Sequence, residues 1–198
     1  SGETVATAKT DAAGVFALRG LDDGDWVVSA RAPGELPPEE VEAFYTRGEK
    51  PVGAIRVLRS LEQVVLGGAD DLQRITREAL QDLAAHQVRY AELFWNPTGT
   101  VRDAGIGYAQ AQQAIVRGLH EAQQAFGIVG RLVPAIDREA SPDAAVEMVR
   151  WMIEHRADEV VGLGIDYREV DRPPELFAQA YALARAAGFR TTAHAGEF

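Results

Sequence analysis

The chain has 198 residues, 46% hydrophobic and 25% charged, which is enough for one sizeable core and too few for two comfortable domains. Its formal charge of −10 argues against a nucleic-acid partner, because phosphate binding needs clustered Lys and Arg. No apolar run approaches the roughly 18 residues that span a bilayer, so no membrane partner is expected.

Cysteine is absent, which rules out disulfides and thiolate metal sites and fits a cytoplasmic location. The start, Ser1-Gly2-Glu3-Thr4, has neither the basic residues nor the apolar stretch of a secretory leader.

Residues 1–33 form a segment apart. Val15 to Leu18 and Trp26 to Ala30 alternate in polarity around the turn-rich Gly20-Leu21-Asp22-Asp23-Gly24, a pattern of short antiparallel strands. The segment resembles half of a small transthyretin-like β-sandwich module. An irregular excursion of the following domain is the alternative. Pro33-Gly34 and Pro37-Pro38 separate it from a helix expected to begin near Glu39.

From residue 69 onward a βα rhythm predicts about four units, within a domain taken as 34–198. Leu72, Ile75, Ala79, Leu80 and Leu83 mark one face of a helix from Ala69 to His86. Val88 to Trp95 reads as a strand closed by Asn96-Pro97. A helix over about Gly107–Phe126 ends at Gly127, and a strand follows from Ile128 to Ile136. Ser141 is an expected N-cap with Pro142 at the first helical position, opening a helix to about His155. Glu159 to Ile165 is the third strand, Pro174 to Ala187 the next helix with Gly188 as its stop, and Phe189 to His194 the fourth strand.

Strand starts every 30–40 residues indicate a parallel sheet, either doubly wound or part of an eight-fold β/α barrel. In a barrel, chemistry sits just past the C-terminal strand ends. Asn96, Asp137 with Arg138, Asp166 with Glu169, and His194 with Glu197 occupy those places. No Gly-rich phosphate loop follows a strand. The expected fold is therefore a partial (β/α)8 barrel of the TIM type.

The segment Thr191-Thr192-Ala193-His194-Ala195-Gly196-Glu197-Phe198 carries the chemistry. An imidazole at a strand end can serve as a metal ligand, Gly196 permits a tight turn, and a carboxyl group at Glu197 can move protons without binding metal. His-Ala-Gly-Glu after a Thr-rich strand resembles the signature of adenosine and adenine deaminases in the amidohydrolase superfamily. Tyr90-Ala91-Glu92-Leu93-Phe94-Trp95-Asn96-Pro97 and Gly162 to Glu169 are similar to two further segments of that family.

The resemblance implies a zinc-dependent hydrolysis of an adenine-type purine with release of ammonia. His194 would be a zinc ligand and Glu197 would protonate the purine ring nitrogen beside the attacked carbon. Asp166, Tyr167, Glu169, Phe94 and Gly196 would contact the substrate. Asp166-Tyr167-Arg168-Glu169 departs from the Gly-Asp-Glu strand end of many adenosine deaminases, and Phe94 stands where many have Arg. The first departure is closer to the adenine-deaminase-like branch, and together the two leave nucleoside, free base or a non-purine amine open as substrate.

The family's first-strand His-x-His pair is absent, and the family's later zinc-site residues lie beyond His-Ala-Gly-Glu, after which the sequence has one residue. The expectation is that these 198 residues hold only part of an active site. The alternative is a truncated or recombined half-barrel without activity, folding by association as a homo-oligomer or with a complementing fragment, since a half-barrel has two open edges. A binding module that keeps the pocket without the chemistry is a third reading. His86 and His155 at helix ends and His120 in mid-helix are read as structural.

Overall fold

The computed structural model describes residues 66–196. The expected segment 1–33, the helix near Glu39, and Glu197 lie outside these residues.

A helix, α1, spans Ala69–Ala85, and strand β1 follows at Tyr90–Trp95. A short helix α2 (Pro97–Asp103) leads to α3 (Tyr108–Phe126) and β2 (Val129–Asp137). Next come α4 (Pro142–Glu154) and β3 (Gly162–Asp166). A 3₁₀ turn at Pro174–Phe177 runs into α5 (Ala178–Ala186), before β4 (Arg190–Thr191). The strands lie in the order β1-β2-β3-β4, and every neighbouring pair is parallel. This is the arrangement of consecutive units in a β/α barrel.

Local chemistry accounts for most boundaries. Asp70 and Asp71 stand in the first turn of α1, where the helix dipole favours acids. Gly127 and Gly188 adopt the left-handed conformation after α3 and α5, as their places at the helix ends predict. The Ser141 hydroxyl accepts from the Ala144 amide at 3.1 Å and caps α4. His86 and His155 are the C-cap residues of α1 and α4, and His120 pairs with Glu159 on the surface at 2.7 Å. All three histidines lie away from the C-terminal ends of the strands.

Three elements differ from the sequence reading. The helix α2 is unannounced: seven residues are too few for a 3.6-residue periodicity, and Thr98, Gly99 and Thr100 are weak helix formers. It is held by its cap, by Pro97 at the first position, and by burial of its first turn. The Asn96 side chain accepts from Gly99 N at 2.7 Å, and Trp95 Nε1 donates to Thr100 Oγ1 at 2.9 Å. The helix expected from Pro174 is divided, its first turn being 3₁₀, with Leu176 N donating to Pro173 O. The fourth strand has only two ladder residues, although hydrogen bonds from Thr192 N to Leu163 O and His194 N to Ile165 O extend its course.

The sheet's two faces have different partners, and this alternation sets the site. Leu132, Ile136, Leu163 and Ile165 join Leu80, Leu119, Met148, Met152 and Phe177 in the layer between sheet and helices. Gly118 brings α3 against α1: a Cβ there would lie 2.5 Å from Gln73 O. The residues between, including Val133, Ala135, Asp137, Gly164 and Asp166, project to the opposite face, the interior side of a barrel wall. None of the helices among the described residues is long and apolar enough to cross a membrane.

Candidate active site

At the C-terminal end of the sheet, the register brings polar residues of successive strands into one row. Asp137 pairs with Asp166 across β2 and β3. Leu163 pairs with Thr191, so continuing that register three residues places His194 beside Asp166. The hydrogen bond from His194 N to Ile165 O, 3.0 Å, agrees with this continuation. Asp137, Asp166 and His194 therefore share a level at the strand ends.

Neighbouring residues complete the cluster. Asn96, at the end of β1, donates from Nδ2 to Asp166 Oδ1 at 3.1 Å while its Oδ1 caps α2. One side chain thus links the start of a helix to the candidate substrate face. The Phe94 ring lies parallel to the His194 imidazole, with centroids 4.5 Å apart and 21° between planes. Phe94 fits because residue 164 has no side chain: a Cβ on Gly164 would stand 2.4 Å from Phe94 Cε1. Glu169 accepts a hydrogen bond from the Gly196 amide at 3.1 Å, which ties the loop after β3 to the turn after β4. Gly196 has φ 76°, a conformation that disfavours other residues and turns the chain directly after His194-Ala195.

The sequence reading named Phe94, Asp166, Glu169, His194 and Gly196, and the structure gathers all five at one end of the sheet. Tyr167 is different. It is buried with φ 65°, one residue past Asp166, where the left-handed backbone ends the alternation of the strand. Arg138 was a candidate by location; it lies in the turn after β2, and its charge reaches Tyr181 of α5, on the helix side. Its Nη2 donates to His194 O at 2.8 Å. Asp137 is almost fully buried, with Oδ1 accepting from the Glu139 amide at 2.9 Å and Oδ2 3.8 Å from Arg102 Nη2. The Asn96–Asp166 link and the Phe94–His194 stack depend on contacts between strands, which spacing along one chain does not encode.

Tyr181, on α5, donates to Thr192 O at 3.0 Å. Burial pushes its hydroxyl from 10.0 up to about 12, against the opposing pull of Arg138 and Arg185. A raised folded-state value means that this contribution to stability is fully present below about pH 10 and is lost as pH rises through 10 to 12. Denaturation midpoints should fall across that window, and Tyr181→Phe should flatten the fall. An unchanged pH dependence in the Phe variant would rule the contribution out.

Among the described residues no group of three or more His, Cys, Asp or Glu could hold a metal ion. His194 offers one imidazole at the strand ends. The described residues by themselves do not fit a complete zinc centre, which takes three or four protein ligands.

Residues 30–198 match the family model described as adenosine deaminase, and the chain belongs to that family. An adenine deaminase of Ralstonia nicotianae is 35% identical over 169 residues, covering 80% of this chain and 46% of the relative. An adenine deaminase of Vibrio parahaemolyticus is 32% identical over 133 residues, covering 67% of this chain and 39% of the relative. Among solved structures, a zinc-bound amidohydrolase from Burkholderia ambifaria is 64% identical with a TM-score of 0.75, over 82% of this chain and 44% of that one. The adenine deaminase of Arthrobacter aurescens is 29% identical with a TM-score of 0.73, over 82% and 50%. The chain thus spans between about two-fifths and one-half of the length of these relatives. The fold is a partial TIM-type barrel, and the family is one of deaminase enzymes.

Proposed function

We propose that a complete barrel containing these residues hydrolyses the exocyclic amine of an adenine-type purine, adenine or adenosine, consuming water and releasing ammonia. The observation that carries this reading is the row of Asp137, Asp166 and His194 at the C-terminal strand ends, with Phe94 stacked on the imidazole. It lies where barrel enzymes place their chemistry, in a chain whose relatives are named adenine deaminases.

In this reading Glu197 delivers a proton to the purine ring nitrogen beside the attacked carbon. His194 faces the reacting centre as a ligand for zinc. Zinc, bound with ligands from outside the described residues, would supply a water acidic enough to deprotonate near neutral pH. The zinc-bound structural relative supports the metal, and its remaining ligands are part of the proposal. Asp166, with one oxygen held by Asn96, Glu169 at the Gly196 turn, and Phe94 surround the substrate position. Tyr167, next to Asp166, is a further proposed substrate contact. The cysteine-free composition fits work in the cytoplasm.

The lone imidazole favours a second reading for the 198 residues by themselves: an inactive half-barrel that folds by association, with a copy of itself or a complementing fragment. Two measurements on the isolated chain decide between them. Ammonia release is followed with adenine and adenosine in the presence of zinc, and bound zinc is counted by elemental analysis. The isolated chain should do neither, whereas a barrel completed with a relative's remaining strands should do both. A completed barrel that binds zinc and leaves both purines intact would overturn the proposed reaction.

A further inference from the structure

We infer that Arg138 is a positioning residue that holds the end of β4, and with it the His194 imidazole, from the helix side of the sheet. The inference rests on the proposed role of His194, and its test separates the two.

The ladder between β3 and β4 covers only Arg190–Thr191, so the chain carrying the candidate imidazole leaves the regular strand three residues before it. Two amide donors, Thr192 N and His194 N, still reach β3 carbonyls. The carbonyls of the same two residues are bound from the other direction. Tyr181 donates to Thr192 O at 3.0 Å, and Arg138 Nη2 to His194 O at 2.8 Å. His194 is thus held at its amide by β3, at its carbonyl by Arg138, and at its ring by Phe94. The two backbone bonds fix the point from which the imidazole projects, and the Phe94 stack orients its ring.

Arg138 is itself fixed. It is 4% exposed, and its amide donates to Asp166 O at 3.3 Å. Its carbonyl accepts from Arg172 Nε, while Arg172 Nη2 donates to Ala140 O. The Arg172 guanidinium also lies over the Phe177 ring. The loop after β3 therefore grips the loop after β2 through Arg172, and the loop after β2 grips β4 through Arg138. A planar guanidinium with several fixed donors suits such a brace better than a flexible ammonium. Arg138 Nε has no hydrogen-bond partner among the described residues, so the side chain is not placed by saturating its own donors. Among the described residues its guanidinium donates to His194 O.

Hydrogen exchange on the folded protein, read residue by residue, tests this in Arg138→Met and Arg138→Lys. Loss of the brace should speed exchange of the Thr192 and His194 amides about tenfold or more, while amides of β1 and β2 keep their rates, as expected for local opening. In a completed barrel kcat should fall with KM little changed, and Lys, retaining a donor and the charge, should recover part of both effects. If Met does not fold, the Lys variant alone is compared with the parent by the same exchange measurement. Unchanged exchange at Thr192 and His194, or a uniform rise across the sheet, would overturn the inference. Failure of the completed parent barrel to release ammonia would overturn the proposed reaction and leave the exchange result to judge the brace.

Discussion

Glu197→Gln in a completed barrel should lower the rate of ammonia release by about 10²–10⁴-fold, the usual worth of a positioned general acid. Gln has nearly the size and shape of Glu but no proton to deliver to a purine ring nitrogen. Substrate affinity should change little, and zinc content should stay at the parent level, because Glu197 has no ligand role in the proposed mechanism. His194→Ala is the contrasting variant: there both ammonia release and bound zinc should be lost. Steady-state kinetics with ammonia detection, paired with elemental analysis, reads both. An ammonia rate in the Gln variant close to the parent's would remove Glu197 from the proton path. Loss of zinc in the same variant would make it a ligand.

The contrast between these two residues also shows what was legible in the sequence. The βα rhythm identified the parallel sheet because buried parallel strands are apolar on both faces, and Val160 to Ile165 is nearly so. Ser141-Pro142 and Gly127 marked helix ends through local chemistry that operates within a few residues. His194 stood out because a motif of contiguous residues carries it. The helix α2 could not be read: its stability comes from Asn96 and from burial against neighbours distant in sequence. The same holds inside the site. Asp166 meets Asn96 across 70 residues, and Arg138 meets His194 across 56. Periodicity placed Asp137 and Arg138 together at a strand end, and only contacts with distant residues, Arg102 for Asp137 and His194 O for Arg138, separate their parts. Tyr167 shows the same limit, since its left-handed backbone is not legible from its place beside Asp166.

Gly164→Ala should disturb both folding and the site through a single methyl group. Gly164 is buried in β3, and its added Cβ would stand 2.4, 3.0 and 3.1 Å from Cε1, Cδ1 and Cζ of Phe94. The backbone at Gly164 needs no special conformation, so any cost comes from overlap with the ring, which must move. Overpacking of this kind costs about 1–3 kcal/mol of stability. The ring has the His194 imidazole stacked against it at 4.5 Å, so its displacement is passed to the candidate ligand. Misplacing a reacting group by about 1 Å can cost on the order of 10²-fold in rate, so activity should fall further than stability alone explains. Phe94→Leu in the Gly164→Ala background separates the two effects. The smaller side chain gives the methyl group room and should restore the denaturation midpoint, but it provides no ring to stack on His194, so activity should recover only in part. A double-mutant cycle on stability should show favourable coupling between residues 94 and 164, because they are in direct contact. Additive stability changes would mean that Phe94 moves aside freely, and the ring could not then be what holds the imidazole in place.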